Sequence, residues 1–211
     1  MNTGFGLDTK VEDSILPIDY LLINYRTRLF GALLVLLEKY PTDTIDTAGV
    51  TVRDSRGTLA YNPDFMAGLD FQGRCFMLMH EASHLLLSSI SRGLNKQKEF
   101  WNLATDIIIN EMLESNFGIK GPKDIFNFAS LERMKLAKPG SVMLKEKAAE
   151  DIYGLLVNGV KKIKVKRYLK EEKGVKSVVK IAEVETKGGG KFAFRFYGEP
   201  FDDENIDPRL K

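Results

Sequence analysis

Histidine is almost missing from this chain, with two in 211 residues, His80 and His84. Cysteine is scarcer still. Cys75 stands alone, which excludes a disulfide framework and a Cys-x-x-Cys zinc site. It reads as a small buried apolar residue, and this cysteine usage suits a cytoplasmic protein. Neither sign of charge dominates: 31 Lys and Arg against 29 Asp and Glu leave +2, which gives no reason to expect nucleic acid or a membrane as partner. Long apolar runs are absent near the N-terminus, where Leu29 to Leu37 is too short to span a bilayer. Met1 to Asp19 lacks the basic segment and apolar core of a signal peptide. What remains is the composition of an ordinary globular protein, long enough for one domain with an appendage or for two small ones.

Both histidines fall in one stretch, His80-Glu81-Ala82-Ser83-His84, inside an apolar run from Phe76 to Leu87. On a helix, residues i and i+4 share a face about 6 Å apart, so both imidazoles can reach one metal ion. Glu81, turned by roughly 100°, can address water at that ion and act as a general base. The spacing is the His-Glu-x-x-His pattern of zinc peptidases. The alternative is two histidines that merely pack or cap.

Around this stretch the chain divides into periodic segments. Residues 1 to about 15 read as a loose arm. Leu21, Leu22, Tyr25, Leu29, Leu33, Leu36 and Leu37 keep helical spacing from Ile18 to Tyr40, with Pro41 as a stop. Val50 and Val52, then Leu59 and Tyr61, flank Asp54-Ser55-Arg56-Gly57 and predict a hairpin ended by Asn62-Pro63. Its second strand, Thr58 to Asn62, is read either as an exposed edge strand that could pair with an extended peptide or, equally, as part of an ordinary hairpin closing the sheet. Asp70 is the expected N-cap of the motif helix, which is predicted to run to about Arg92 and stop at Gly93. Such a helix, apolar nearly all round, belongs at the centre of its domain.

A second helix is predicted from about Lys96 to Ser115, with Asn116 to Gly118 ending it. Asn102, Asp106 and Asn110 form a polar stripe at i, i+4 and i+8 on its otherwise apolar surface. Nine residues from His84 to Gly93 advance roughly 14 Å, and a returning helix from Gln97 regains that distance at Asp106. With no third histidine, a catalytic zinc needs a carboxylate as its third protein ligand, leaving one position for water. Asp106 fits this best by height and face, and Glu111 is the alternative.

These residues resemble a known family. Tyr61-Asn62-Pro63, Met79-His80-Glu81-Ala82-Ser83-His84-Leu85, Arg92 and the run Trp101 to Asn110 occur in the order seen in the zincin-like metallopeptidase domain found in front of von Willebrand factor A-like domains in bacteria and phages. The resemblance covers roughly residues 18 to 160. It implies an α+β fold: a zincin-like core with a small sheet or hairpin packed on the active-site helix and an antiparallel backing helix. It also implies Zn²⁺ on His80, His84 and Asp106, with Glu81 as base, and a peptide or protein as substrate. A partner carrying a von Willebrand A-like domain or an ATPase is a family implication only, since the chain shows no Asp-x-Ser-x-Ser loop.

Within this frame, zinc would lower the pKa of its bound water to about 7 and Glu81 would take the proton. Tyr61, Arg92 and Tyr153 are candidates for stabilising the oxyanion, and Asn102 and Asn110 for supporting the ligands. The alternative function is a zinc-stabilised binding or structural module that does not turn over substrate, for example a phage assembly or virion component.

The remaining segment, Gly121 to Gly154, is expected as a loop and then a helix around Ala148, Ile152, Tyr153 and Leu156, closing the cleft. Residues 161 to 180 carry nine Lys or Arg against two Glu, on alternating strand patterns. A solvated basic face is the expected reading, with nucleic-acid binding the weaker one. Phe192, Phe194 and Phe196 alternate in a further strand after a turn at Gly188 to Gly190. The expected division is therefore a metallopeptidase domain over 1–160, a small basic β appendage over 161–200 and a disordered acidic tail over 201–211.

Overall fold

The computed structural model describes residues 27–53, 56–138, 140, 146–172 and 175–196. The expected N-terminal arm, the start of the first helix, the turn at Asp54-Ser55 and the acidic tail lie outside the described residues. Among the described residues the fold is α+β, with two three-stranded sheets and several helices.

Helix α1, Arg28–Leu36, buries Phe30 and Leu34. It does not continue to Tyr40 as the spacing predicts. Leu37 takes an extended backbone (φ −72°, ψ 139°), and Glu38–Pro41 becomes strand β1. The leucine spacing fits both conformations. The strand allows Leu37 to stay buried while the main chain of 38–41 bonds to a neighbouring strand.

Strands β2 (Ala48–Arg53) and β3 (Arg56–Tyr61) form the expected antiparallel hairpin, in register from Ala48 opposite Tyr61 to Arg53 opposite Arg56. β1 pairs in parallel with the other side of β3, giving the order β1-β3-β2. Thr58 to Tyr61 is therefore the central strand. The expectation of an edge strand free to hold a peptide is overturned, because its hydrogen-bonding groups are committed on both sides. Gly57, expected in the turn, is the second residue of β3. A Cβ there would lie 2.5 Å from Leu37 Cδ2 and 3.1 Å from Leu85 Cδ1, so its bare backbone allows the motif helix to lie close against the sheet.

After Asn62 caps the short helix α2 (Pro63–Ala67), Asp70 caps α3 (Phe71–Leu86) by accepting from the Gly73 N–H at 2.7 Å. Residues 75–83 of α3 are all buried. The helix stops short of Arg92 because Ser88 enters the left-handed region (φ 51°), and a separate turn, α4, spans Ser89–Arg92. The Leu87 carbonyl exposed by this break accepts from Arg92 Nη1 at 2.9 Å, and the Ser89 carbonyl, which already accepts from Gly93 N at 3.1 Å, takes a second bond from Trp101 Nε1 at 2.7 Å.

Helix α5, Lys98–Phe117, returns alongside α3 and ends at Gly118 in the left-handed conformation (φ 66°). Its Ile109 and Leu113 join a core with α1, α2, α3 and the first sheet. Its Leu103, Ala104 and Ile107 join a second core with Phe126, Leu131, Ile152, Leu156, Val184 and Phe194. That core draws on helix α6 (Phe128–Arg133), which the sequence pattern did not suggest, on the expected α7 (Ala149–Gly159), and on the antiparallel sheet β4 (Val160–Glu172), β5 (Val175–Thr186), β6 (Lys191–Phe196). The glycine turn before β6 is present, with Gly189 at φ 83°. The segment expected as an appendage thus shares its core with the helix that carries Asp106. Among the described residues, no helix is long and apolar enough to cross a membrane.

Candidate metal centre

Because α3 and α5 run side by side, the face of α3 carrying His80 and His84 meets the polar stripe of α5. His84 Nε2 lies 3.2 Å from His80 Nε2. Asp106 Oδ1 completes a triangle, 3.2 Å from His84 Nε2 and 3.5 Å from His80 Nε2. The three side chains are 1%, 14% and 6% exposed for His80, His84 and Asp106, so solvent reaches the group from the His84 side. A tetrahedral ion with bonds of about 2.0–2.1 Å has ligand–ligand edges of about 3.3–3.4 Å. The observed sides match that edge, and two imidazole nitrogens with one carboxylate oxygen could hold a metal ion and leave a fourth position open.

The outer nitrogen of His80 fixes which nitrogen faces the centre. His80 Nδ1 is 2.9 Å from Asn110 Oδ1, while Asn110 Nδ2 donates to the Phe126 carbonyl at 2.7 Å. The carbonyl can only accept, so the amide turns its NH₂ toward Phe126 and its oxygen toward the imidazole. His80 therefore carries a proton on Nδ1 and presents Nε2 to Asp106 and His84.

Charges in this buried pocket are tightly balanced. Burial pushes the Asp106 carboxyl up, but hydrogen bonds and charge from His80 and His84 outweigh it and hold the group at about 2. Burial also opposes a charged His80, yet the bond to Asp106 and the nearby charges of Asp106 and Glu81 raise it above its ordinary value. His84 is lowered, by burial first, with His80 adding to the effect and Asp106 opposing it. Glu81 is itself buried, next to His80 on the helix.

The other residues singled out by the sequence sit differently. Asn110 belongs to the group through His80. Asn102 is half-buried one turn before Asp106, and its carbonyl accepts from Thr105 Oγ1 at 2.9 Å. Glu111 is outside the triangle and accepts from Ser115 Oγ at 2.7 Å. Tyr61 is buried at the end of β3, where its carbonyl accepts from Thr42 N at 2.9 Å. Arg92 binds Glu150 with two nitrogens, and Tyr153 OH accepts from Gln97 N at 3.2 Å. Arg92 and Tyr153 also flank the Trp101 ring, so Arg92 joins α4 to α5 and α7, and Tyr153 joins α7 to α5. Sequence reasoning missed Phe126, because a main-chain acceptor carries no residue-type signal.

A family model described as "putative metallopeptidase domain" matches residues 22–194, which takes in β4, β5 and most of β6. No curated protein and no solved structure matches the chain.

Proposed function

The chain belongs to this metallopeptidase domain family, and from that premise we propose that it is a zinc-dependent peptidase acting through His80, His84, Asp106 and Glu81. The observation that carries the proposal is the buried triangle of two imidazole nitrogens and one carboxylate oxygen, whose sides match a tetrahedral zinc site. Zinc held there supplies a Lewis acid that polarises a carbonyl and acidifies water. His80 and His84 offer Nε2 lone pairs, and Asp106 offers an anionic oxygen that stays deprotonated at all ordinary pH. Glu81 takes the general base's part: its carboxylate receives a proton from the attacking water and returns it to the amine leaving the cleaved peptide bond. The substrate class is peptide or protein, and the cytoplasmic setting expected from the cysteine usage is retained.

The test is bound metal and casein cleavage by the full chain expressed with zinc, compared with Glu81→Gln. We expect zinc in both proteins and cleavage in the wild type alone. Zinc in both with cleavage in neither would instead support a binding or structural module, and absence of metal from both would refute the site.

A further inference from the structure

The carbonyl that orients Asn110 belongs to a connection without helix or ladder of its own, between Gly118 and Asn127. Something must hold that carbonyl still, and the structure shows what does. The Phe126 ring packs on Phe194 of β6 with centroids 4.0 Å apart, and Arg133 lies over the same Phe194 ring at 5.1 Å. Arg195 N donates to the Asp124 carbonyl at 2.8 Å, and Ile125 forms an isolated parallel bridge with Arg195. On the other side, Gly121 lets the loop close on Phe76, whose ring tilts against His80 at 5.8 Å. The path from β6 to the imidazole is therefore continuous: Phe194 and the Arg195 main chain, the loop at 124–126, the Phe126 carbonyl, Asn110, His80. His80, Asn110 and Phe126 are all buried, so no water is at hand to substitute for a lost link.

We infer that Asn110 is a positioning residue that locks His80 with its Nδ1 protonated and Nε2 turned inward, and that the β4–β6 sheet is the brace that holds Asn110's own acceptor. The inference rests on the reading of His80 as a metal ligand. It gives the C-terminal sheet a task at the metal centre. Partners in this position orient ligating histidines and raise their basicity, and their loss typically weakens metal binding about 10–100-fold.

The experiment uses the full chain with Co²⁺ as probe, reading affinity and visible absorption, and with imidazole NMR of the metal-free protein. Only two histidines contribute to that spectrum, so the His80 signal is readily assigned. Asn110→Leu should weaken Co²⁺ about 10–100-fold and remove the solvent-protected Nδ1–H of His80. Asn110→Asp, whose carboxylate keeps an acceptor for the Nδ1–H of His80 but has no N–H for the Phe126 carbonyl, should retain the protected Nδ1–H and recover most of the affinity. Phe194→Leu should weaken Co²⁺ and speed exchange of that proton. Leu156→Ala, a cavity in the same core on α7 outside this path, should leave both within twofold of the wild type. Unchanged Co²⁺ affinity in Asn110→Leu, or equal losses in Phe194→Leu and Leu156→Ala, would overturn the inference. Failure of the wild type to bind Co²⁺ would sink the metal reading instead, while the protected Nδ1–H would still decide the brace.

Discussion

Asp106 is a buried carboxylate kept anionic by two imidazoles, and that balance has a measurable pH dependence. Its folded value, about 2, lies below the ordinary 3.8, so its contribution to stability is present above 3.8 and lost as pH falls toward 2. His80, raised, stabilises below 6.5 and loses that contribution as pH rises through its folded value. His84, lowered, stabilises above 6.5 and loses that contribution as pH falls through its folded value, so both contributions are fullest near 6.5. In the metal-free protein we expect Asp106→Asn to cost on the order of 2 kcal/mol at pH 5. Urea unfolding at several pH values should show that gap closing toward pH 2. A gap unchanged down to pH 2 would contradict the assignment of these interactions. At this scale the sequence was highly legible. Two histidines at i and i+4 and a polar stripe on an apolar helix leave few arrangements that bury them with partners, and helix rise alone put Asp106 level with His84. Arg92 and Tyr153 were harder to read, since residue type does not reveal that each has a partner around Trp101.

Elements were legible where a cap or glycine punctuates them and illegible where only tertiary contacts do. Asp70 and Gly118 mark helix ends in the sequence, and the structure uses both. Ser88 carries no such mark, yet the motif helix breaks there, with Arg92 supplying a donor for the exposed Leu87 carbonyl and Trp101 tying down the turn that follows. Replacing Trp101 by Phe keeps an aromatic ring and removes the second donor to Ser89 O, which should cost about 0.5–1.5 kcal/mol in equilibrium unfolding. A cost below about 0.5 kcal/mol would mean the break is held by packing alone. Gly57→Ala should destabilise by about 1–3 kcal/mol, because the new methyl meets Leu37 and Leu85 between sheet and motif helix. The same measurement checks it, and a neutral result would show that α3 can shift without loss. Strand β1 escaped sequence reading because Leu36 and Leu37 fit either period, and the choice was made by the open side of β3.

Among the described residues, α5 is the shared wall of two cores, in keeping with a family match that begins near the first helix and reaches into β6. The excess of positive charge over 161–180 suggested a solvated face. Part of it is paired within the fold: Lys161 with Glu185, Lys166 with Glu183, and Arg167 with Asp46 at 2.8 Å. Asp46 also lies 3.8 Å from buried Lys180, so one loop of the first sheet is tied to two strands of the second. Such pairings are set by chain topology and leave no trace in local composition. Asp46→Ala should destabilise by about 1–3 kcal/mol without changing the slope of urea unfolding, since the two halves share α5 and should unfold together. A biphasic transition in the wild type would contradict this unity. His80 and His84 of α3 and Asp106 of α5, the group that could hold a metal ion, meet between the two helices. The most direct measurement of the central claim is X-ray absorption at the zinc edge of the purified full chain. We expect one zinc per chain with nitrogen and oxygen neighbours alone at about 2.0–2.1 Å, and absence of zinc, or a sulfur neighbour near 2.3 Å, would contradict it.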